Sequence, residues 1–186
     1  MARLGRAGFG LAYSALPAGV LVWLIAAAAR APFVELWPRA EWQNHITLGA
    51  MALACLTLAL ALGRPNPFSF GGWHNDRFDP ARPGIVGLLR HPVLAALLLW
   101  SLGHLAPNGD LAHGLMLSGF AVFAGFGMVM IDRRHRREAG SDAWHHLLPA
   151  RTLRGAGNTL RAVAAALALW GLIFLHPVVI GLPAIW

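Results

Sequence analysis

Five long apolar stretches, separated by polar loops, constrain the fold of this 186-residue chain more than any other feature. They cover residues 7–29, 46–63, 92–106, 113–131 and 160–182. A helix needs roughly 20 apolar residues to cross the ~30 Å hydrocarbon core of a bilayer. The third stretch is short by this measure, and residues 84–89 are expected to lead into it along the membrane interface. We therefore predict an all-α, polytopic membrane helix bundle of about five transmembrane helices, in a single domain over residues 1–186.

The distribution of arginine predicts how this bundle is oriented. All fifteen basic residues are arginine, and a cytoplasmic N-terminus places thirteen of them on the cytoplasmic side. Only Arg30 and Arg39 remain on the opposite side, in agreement with the positive-inside rule. Topology and contacts with anionic lipids in the bilayer thus account for the net charge of +7, and a nucleic-acid partner is not expected.

Histidines are the candidates for chemistry because the apolar stretches contain almost no carboxylates, which disfavours ion-coupled transport. Measured from the cytoplasmic ends of their helices, His104 lies ~18 Å and His176 ~24 Å into the membrane. A pair at similar depth suits the binding of haem iron, since neutral imidazole is a good iron ligand and a flat macrocycle fits between helices. The alternative is that each histidine only makes a hydrogen bond between helices.

A second candidate site lies at the cytoplasmic end of the third helix. His91 precedes Pro92, a residue that suits the first position of a helix, and Arg90 lies beside it. His91 and His104 are ~20 Å apart along the helix and ~140° apart around it, so they cannot bind the same metal. We expect His91 and Arg90 to cap the helix, or to contact an anionic head group or a cofactor carboxylate.

Two further local features are expected from the pattern. The loop after the fourth stretch is predicted to form a basic interfacial helix, with Trp144, Leu147 and Leu148 entering the membrane interface. Pro177, which follows His176, is expected to kink the fifth helix because proline removes a backbone hydrogen bond.

Residues 90–112, RHPVLAALLLWSLGHLAPNGDLA, combine the patterns RHP, W-x-L-x-H and NGDLA, and IDRR at residues 131–134 is followed by REAG. In these motifs, and over most of its length, the chain resembles the NnrU family of membrane proteins. The resemblance implies a multi-pass protein of the bacterial inner membrane. It also implies a role in denitrification, through the expression or maturation of nitrite and nitric oxide reductases, with a membrane reductase or maturation factor as partner.

The plant 15-cis-ζ-carotene isomerase is similar to the same family, in an RHP…LAH pattern and a C-terminal FAHP segment. This similarity implies haem b as cofactor, a redox-dependent isomerase-like activity, and His104 as a haem ligand. The relatives take their second haem ligand from an additional N-terminal helix. The resemblance therefore leaves three alternatives. A helix before Met1 supplies that ligand and makes the helices six, or His176, His113 or His45 substitutes for it, or haem is not bound. A ligand-switching cysteine of the isomerase is Ser101 here, so that switch is not expected.

The RHP start of the third helix and the basic stretch ending near residues 149–151 also resemble isoprenylcysteine and phospholipid methyltransferases. That resemblance implies that His91 and Arg90 help to hold S-adenosylmethionine. Where those enzymes have a tyrosine and a glutamate pair, this chain has Leu94 and the run DRR at 132–134. Three interpretations stay open: a haem protein, a membrane methyltransferase, and a non-catalytic membrane scaffold for a reductase complex.

Overall fold

The computed structural model describes residues 5–140, 144, 148 and 151–181. These residues form five α-helices. In chain order they are α1 (Gly5–Arg30), α2 (Glu41–Ala61), α3 (Pro92–Leu105), α4 (Leu111–Ala139) and α5 (Thr159–Ile180). Within the described residues the β pairing amounts to one isolated bridge between Glu35 and Asp110, so the predicted all-α fold is confirmed.

Three helical segments are long and apolar enough to cross a membrane. They are Glu41–Ala61, Leu111–Glu138 and Thr159–Val178. The segments Ala15–Arg30 and Pro92–Leu105 are apolar but shorter. The 14 residues of α3 rise only about 21 Å, less than the hydrocarbon core. These helices identify a membrane protein, and crossing of the bilayer by α1 and α3 stays a prediction.

Helix ends depart from the predicted ones where polar side chains extend a helix beyond its apolar part. α2 begins at residue 41 rather than 46, because the side-chain oxygen of Gln43 accepts a 2.8 Å hydrogen bond from the backbone N–H of Ala40, the residue before the helix. α4 ends at residue 139 rather than 131, and an Arg134–Glu138 ion pair of 2.7 Å supports its arginine-rich extension. α5 ends at Ile180, and the predicted end at residue 182 lies outside the described residues.

The closest contact between helices joins α2 and α3. α2 packs against α3 and α5, and α4 packs against α3 and α1. Gly103 of α3 lies so near α2 that a Cβ at this position would be 2.6 Å from the Cβ of Ala50. The hydroxyl of Thr47 donates a 2.8 Å hydrogen bond to the carbonyl of Gly103. Small residues and such hydrogen bonds hold membrane helices together, and here they fix α3 one residue before His104.

The arginine distribution predicts that the end of the bundle that holds Arg90 is cytoplasmic and that the opposite end is the outer one, and both ends are named by this prediction. At the cytoplasmic end, the loop between α2 and α3 folds over an apolar cluster. The cluster consists of Ala61, Phe68, Ile85, Val86 and Trp144. Phe68 is 1% exposed, and its ring lies edge-on to that of Trp144 with centroids 5.7 Å apart.

One sequence expectation at this end is wrong, because this cluster takes up the side chain concerned. Trp144 is buried inside the protein instead of entering the membrane interface. The 3-10 turn Gly84–Gly87 buries Ile85 and Val86 in the same cluster, whereas Leu88 is exposed, so the course of residues 84–89 along the interface stays a prediction. Of the predicted interfacial helix, Leu148 packs against the cluster and Leu147 lies outside the described residues.

At the outer end, the loop between α1 and α2 pairs with the loop between α3 and α4. The backbone N–H of Leu36 donates to the carbonyl of Gly109 at 2.7 Å. The indole N–H of Trp37 donates to the carbonyl of Ala106 at 2.9 Å. These bonds tie the end of α3 to the start of α2 and hold the outer turn of α3 in place.

Candidate functional site

His104 lies in the last turn of α3, with one ring nitrogen bound to the backbone. Its Nδ1 is 2.9 Å from the carbonyl oxygen of Trp100, one turn earlier. A carbonyl oxygen only accepts hydrogen bonds, so this contact assigns the hydrogen to Nδ1. In the neutral ring Nε2 then keeps its lone pair. A hydrogen bond of this kind orients most metal-binding histidines and raises the basicity of the ligating nitrogen.

The indole of Trp100 lies against His104 within the same helix. The ring centroids of Trp100 and His104 are 5.3 Å apart, and Phe120 of α4 meets the indole edge-on at 5.7 Å. His104 itself is half-buried. The indole therefore restricts the rotation of the imidazole, and Phe120 supports the indole from α4.

His176 lies in the second half of α5, and its imidazole is close enough to that of His104 for their charges to interact. His176 is half-buried, whereas Leu175 and Pro177 on either side of it are exposed. α5 continues through Pro177 to Ile180. An electrostatic interaction thus links the two histidines that were selected by depth in the membrane, and their convergence on one ligand stays a prediction.

The other two outer histidines have different surroundings. The Nδ1 of His113 is 2.8 Å from the carboxylate of Asp110, which also accepts the backbone N–H of His113 as the N-cap of α4. Burial raises the pKa of Asp110, but the hydrogen bonds and charge of His113 outweigh it, and this pKa lies below its ordinary value. His45 is exposed in the first turn of α2. His113 is therefore engaged in helix capping, and His45 faces away from the protein.

At the cytoplasmic end, Arg90 and His91 both bind Asp132 of α4. The Nε2 of His91 is 2.9 Å from one carboxylate oxygen of Asp132. The Nε of Arg90 is 3.3 Å from the same oxygen, and its Nη2 contacts the other one. Burial lowers the pKa of His91 below its ordinary value, despite the opposing hydrogen bond and charge of Asp132. The positive charges of Arg90 and His135 add to this lowering.

This Arg90–His91–Asp132 cluster joins the cytoplasmic ends of α3 and α4. Asn66 strengthens it by donating a 3.0 Å hydrogen bond to the carbonyl of Arg90. Asp132 binds Nε2 of His91 and two of the three guanidinium nitrogens of Arg90, so a carboxylate of the chain already occupies these donors. No contact here therefore favours S-adenosylmethionine, and methyltransfer stays a prediction.

Sequence reasoning places Arg90 and His91 at this end but does not identify Asp132 as their partner. The sequence gives only a weak indication of this partner. A lone carboxylate at the end of an apolar stretch is energetically unfavourable unless a positive charge lies beside it. The pairing spans 42 residues along the chain and depends on how α3 packs against α4. Hydropathy does not give that packing.

The donor set of the outer site consists of two imidazoles. Among the described residues, no group of three or more histidine, cysteine or acidic side chains converges on a point that could hold a metal. Imidazole is a donor that haem iron takes, so His104 and His176 are the residues that would hold a haem, and haem binding stays a prediction.

Comparison with known proteins agrees with the membrane helices and the motifs at the ends of α3. The family model described as NnrU protein matches residues 1–184. No curated protein and no solved structure matches the chain. The family match includes both the His104–His176 pair and the Arg90–His91–Asp132 cluster. The chain therefore belongs to the NnrU family, and it is a membrane protein of that type.

Proposed function

We propose that this protein is a multi-pass protein of the bacterial inner membrane that binds haem b through His104 and His176. The observation that best supports the proposal is the hydrogen bond between His104 Nδ1 and the carbonyl of Trp100, because it leaves Nε2 as the ligating nitrogen. His176 is the second ligand in this proposal, because helical rise places it at a depth in the membrane similar to that of His104. Haem bound here supplies one-electron redox chemistry.

The surrounding residues keep His104 ready to bind a metal. The carbonyl of Trp100 holds the ring in one tautomer, and the indole of the same residue lies against the imidazole. The Thr47–Gly103 hydrogen bond fixes the helix one residue away. A ligand whose rotamer is fixed in advance loses less entropy when it binds.

For the biological role, we infer from the family that the protein acts in denitrification, in the expression or maturation of nitrite and nitric oxide reductases. Its partner is then a membrane reductase or a maturation factor. A redox-dependent isomerisation is the alternative activity for the same haem.

An absorption spectrum of the detergent-purified full chain, expressed with ample haem supply, tests the proposal. We expect a Soret band that His104→Ala abolishes or strongly weakens. In His176→Ala the band should shift rather than vanish, because the iron keeps one axial imidazole. His45→Ala is the matched control, since His45 is an exposed histidine of the outer layer, and its spectrum should equal that of the wild type. Colourless wild-type protein would overturn the proposal.

The role in denitrification needs a separate test in cells. We expect deletion of the gene to lower nitrite or nitric oxide reductase activity, and His104→Ala to fail to restore it. Restoration by both His104→Ala and His91→Ala would favour the scaffold interpretation. In that case, neutralising the arginines at 133, 134, 136 and 137 should abolish function. Saturable binding of S-adenosylmethionine that is lost in His91→Ala would favour methyltransfer instead.

A further inference from the structure

A groove on the cytoplasmic surface lies apart from the histidine pair. It has a volume of about 440 Å³, within the range of small-ligand pockets. Its lining consists of Arg64, Asp79, Arg82, Gly155, Gly157 and Asn158. We propose that this groove binds the phosphate of an anionic phospholipid head group. The proposal does not depend on haem binding.

The charges around the groove are unbalanced in favour of an anion. Arg64 and Arg82 line it, and Arg161 lies close by, where it donates a 3.1 Å hydrogen bond to the carbonyl of Leu62 at the end of α2. Asp79 is the one acidic side chain of the lining, and it accepts a 2.9 Å hydrogen bond from a backbone N–H of its own turn.

Two of these arginines repel each other. Burial lowers the pKa of Arg64 below its ordinary value, and the positive charge of Arg161 lowers it further. The guanidinium of Arg64 donates to the carbonyl of Gly155, which holds it near Arg161. A phosphate between the two would relieve the repulsion and accept charge-assisted hydrogen bonds.

The walls of the groove are held together by two glycines in the left-handed region. Gly84 has φ +66° and donates a 2.9 Å hydrogen bond to the carbonyl of Arg154. Gly155 has φ +79°, and a Cβ there would come within 3.2 Å of the carbonyl oxygen of Arg82. Residues with side chains rarely adopt a positive φ. Glycine at both positions therefore allows the loop that holds Gly84 to cross close to the loop that holds Gly155. The groove is therefore formed before a ligand arrives.

The position of the groove favours a lipid over a free anion. It lies where α2 ends and α5 begins, at the cytoplasmic edge of the membrane. Leu62 is 50% exposed and Leu160 is 73% exposed beside it, as suits side chains that contact acyl chains. The start of α5 adds the positive end of a 22-residue helix. An anionic phospholipid would place its phosphate on the arginines of the groove and its acyl chains along Leu62 and Leu160, so that both the charged and the apolar surfaces are in contact with it.

Native mass spectrometry of the detergent-purified full chain, titrated with dioleoylphosphatidylglycerol or dioleoylphosphatidylcholine, tests this proposal. Arg82→Gln is the main variant, because the Arg82 guanidinium has no hydrogen-bond or ion-pair partner among the described residues, and the fold should tolerate the change. We expect it to weaken binding of phosphatidylglycerol about tenfold, the loss of one charge-assisted contact. Arg64→Gln should weaken that binding at least as much.

Arg77→Gln is the matched control, since Arg77 is exposed in the same loop but does not line the groove. Its affinity for phosphatidylglycerol should equal that of the wild type, and phosphatidylcholine should bind all variants alike. Equal losses in Arg77→Gln and Arg82→Gln would indicate diffuse charge attraction and overturn the site. Displacement of phosphatidylglycerol by millimolar inorganic phosphate would assign the groove to the free anion and overturn the lipid assignment.

Discussion

The two ends of α3 hold their histidines in different surroundings. At the cytoplasmic end, His91 is 5% exposed, and its Nε2 shares the carboxylate of Asp132 with Arg90. Its Nδ1 is buried with no hydrogen-bond partner among the described residues. At the outer end, the half-buried His104 is fixed through Nδ1 by the backbone of its own helix, and Nε2 keeps its lone pair. A folded loop covers the first site, whereas the indole of Trp100 lies against the second.

This difference separates stabilising residues from residues available for chemistry. A histidine whose charge partner is another residue of the chain contributes to the fold, and removing the partner leaves a buried polar group unsatisfied. A histidine that is oriented, keeps a lone pair and is only half-buried is prepared for a ligand. Variants at the cytoplasmic end should therefore change stability with little effect on haem, and variants at His104 should do the reverse.

Asp132→Asn should have the largest effect on stability. It leaves Arg90 and the buried ring of His91 without their shared carboxylate, and a buried polar group left unsatisfied costs about 1–3 kcal/mol. We expect a loss of about 2–3 kcal/mol in the free energy of unfolding, the upper part of that range, because two side chains lose their partner even though Arg90 is 41% exposed. Denaturant unfolding in detergent measures it.

The control for Asp132→Asn is Glu138→Gln on the same helix. Glu138 pairs with Arg134 on the exposed surface at 2.7 Å, and exposed pairs contribute little. Its unfolding should match that of the wild type. A loss of haem absorbance in folded Asp132→Asn would contradict the separation between the two ends.

Gly103→Ala tests the packing that supports the outer end. The new Cβ would lie 2.6 Å from that of Ala50, a close contact between two helices with no flexible side chain to yield. Overpacking costs about 1–3 kcal/mol, and the better helix propensity of alanine offsets up to about 1 kcal/mol of it. Gly49→Ala, where nothing lies within 4 Å of the new Cβ, shows the propensity gain alone. If Gly103→Ala lowers the free energy of unfolding by less than about 1 kcal/mol relative to Gly49→Ala, then α2 and α3 pack less closely than the structure shows.

His91 should make stability depend on pH. Its pKa is lower in the folded protein than the ordinary value of about 6.5, so the unfolded chain binds the proton more readily. Stability should therefore fall as pH drops from about 6.5 towards the folded pKa, by at most about 1.4 kcal/mol per pH unit. Asp132, Arg90 and His135 are the charged groups acting on this imidazole. We expect His91→Gln to show a flatter dependence of Tm on pH, and an unchanged slope would contradict the assignment.

The sequence predicts the helices of this protein better than their contacts. The lengths of the apolar stretches and the unequal distribution of arginine between the loops predict five helices. Both criteria can be applied to each segment separately, because they come from the bilayer and not from contacts within the protein. They do not locate the Asp132 partner of His91, the burial of Trp144 against Phe68, or the extension of α4 to residue 139. Each of these depends on a contact between distant segments, or on polar side chains that continue a helix outside the apolar core.

The candidate site shows the same division. Helical rise alone puts His104 and His176 at similar depth, but it does not say which nitrogen of His104 is free. That follows from the backbone contact with Trp100, which is local in sequence yet depends on the rotamer of the ring. Nor does depth distinguish His104 from His113, which the structure assigns to the N-cap of α4 through Asp110.

Thr47→Val should have the smallest effect of the changes considered, and it tests how far the outer end depends on a single hydrogen bond. The variant keeps the shape of the side chain but removes the 2.8 Å bond to the carbonyl of Gly103. Hydrogen bonds between membrane helices average about 0.6 kcal/mol, so the loss of unfolding free energy should be of that order. Thr47→Ser keeps the hydroxyl and should restore most of it. If Thr47→Val also shifted the Soret band while Thr47→Ser did not, this hydrogen bond would be shown to position His104, and the outer site would depend on α2 as well as on its own helix.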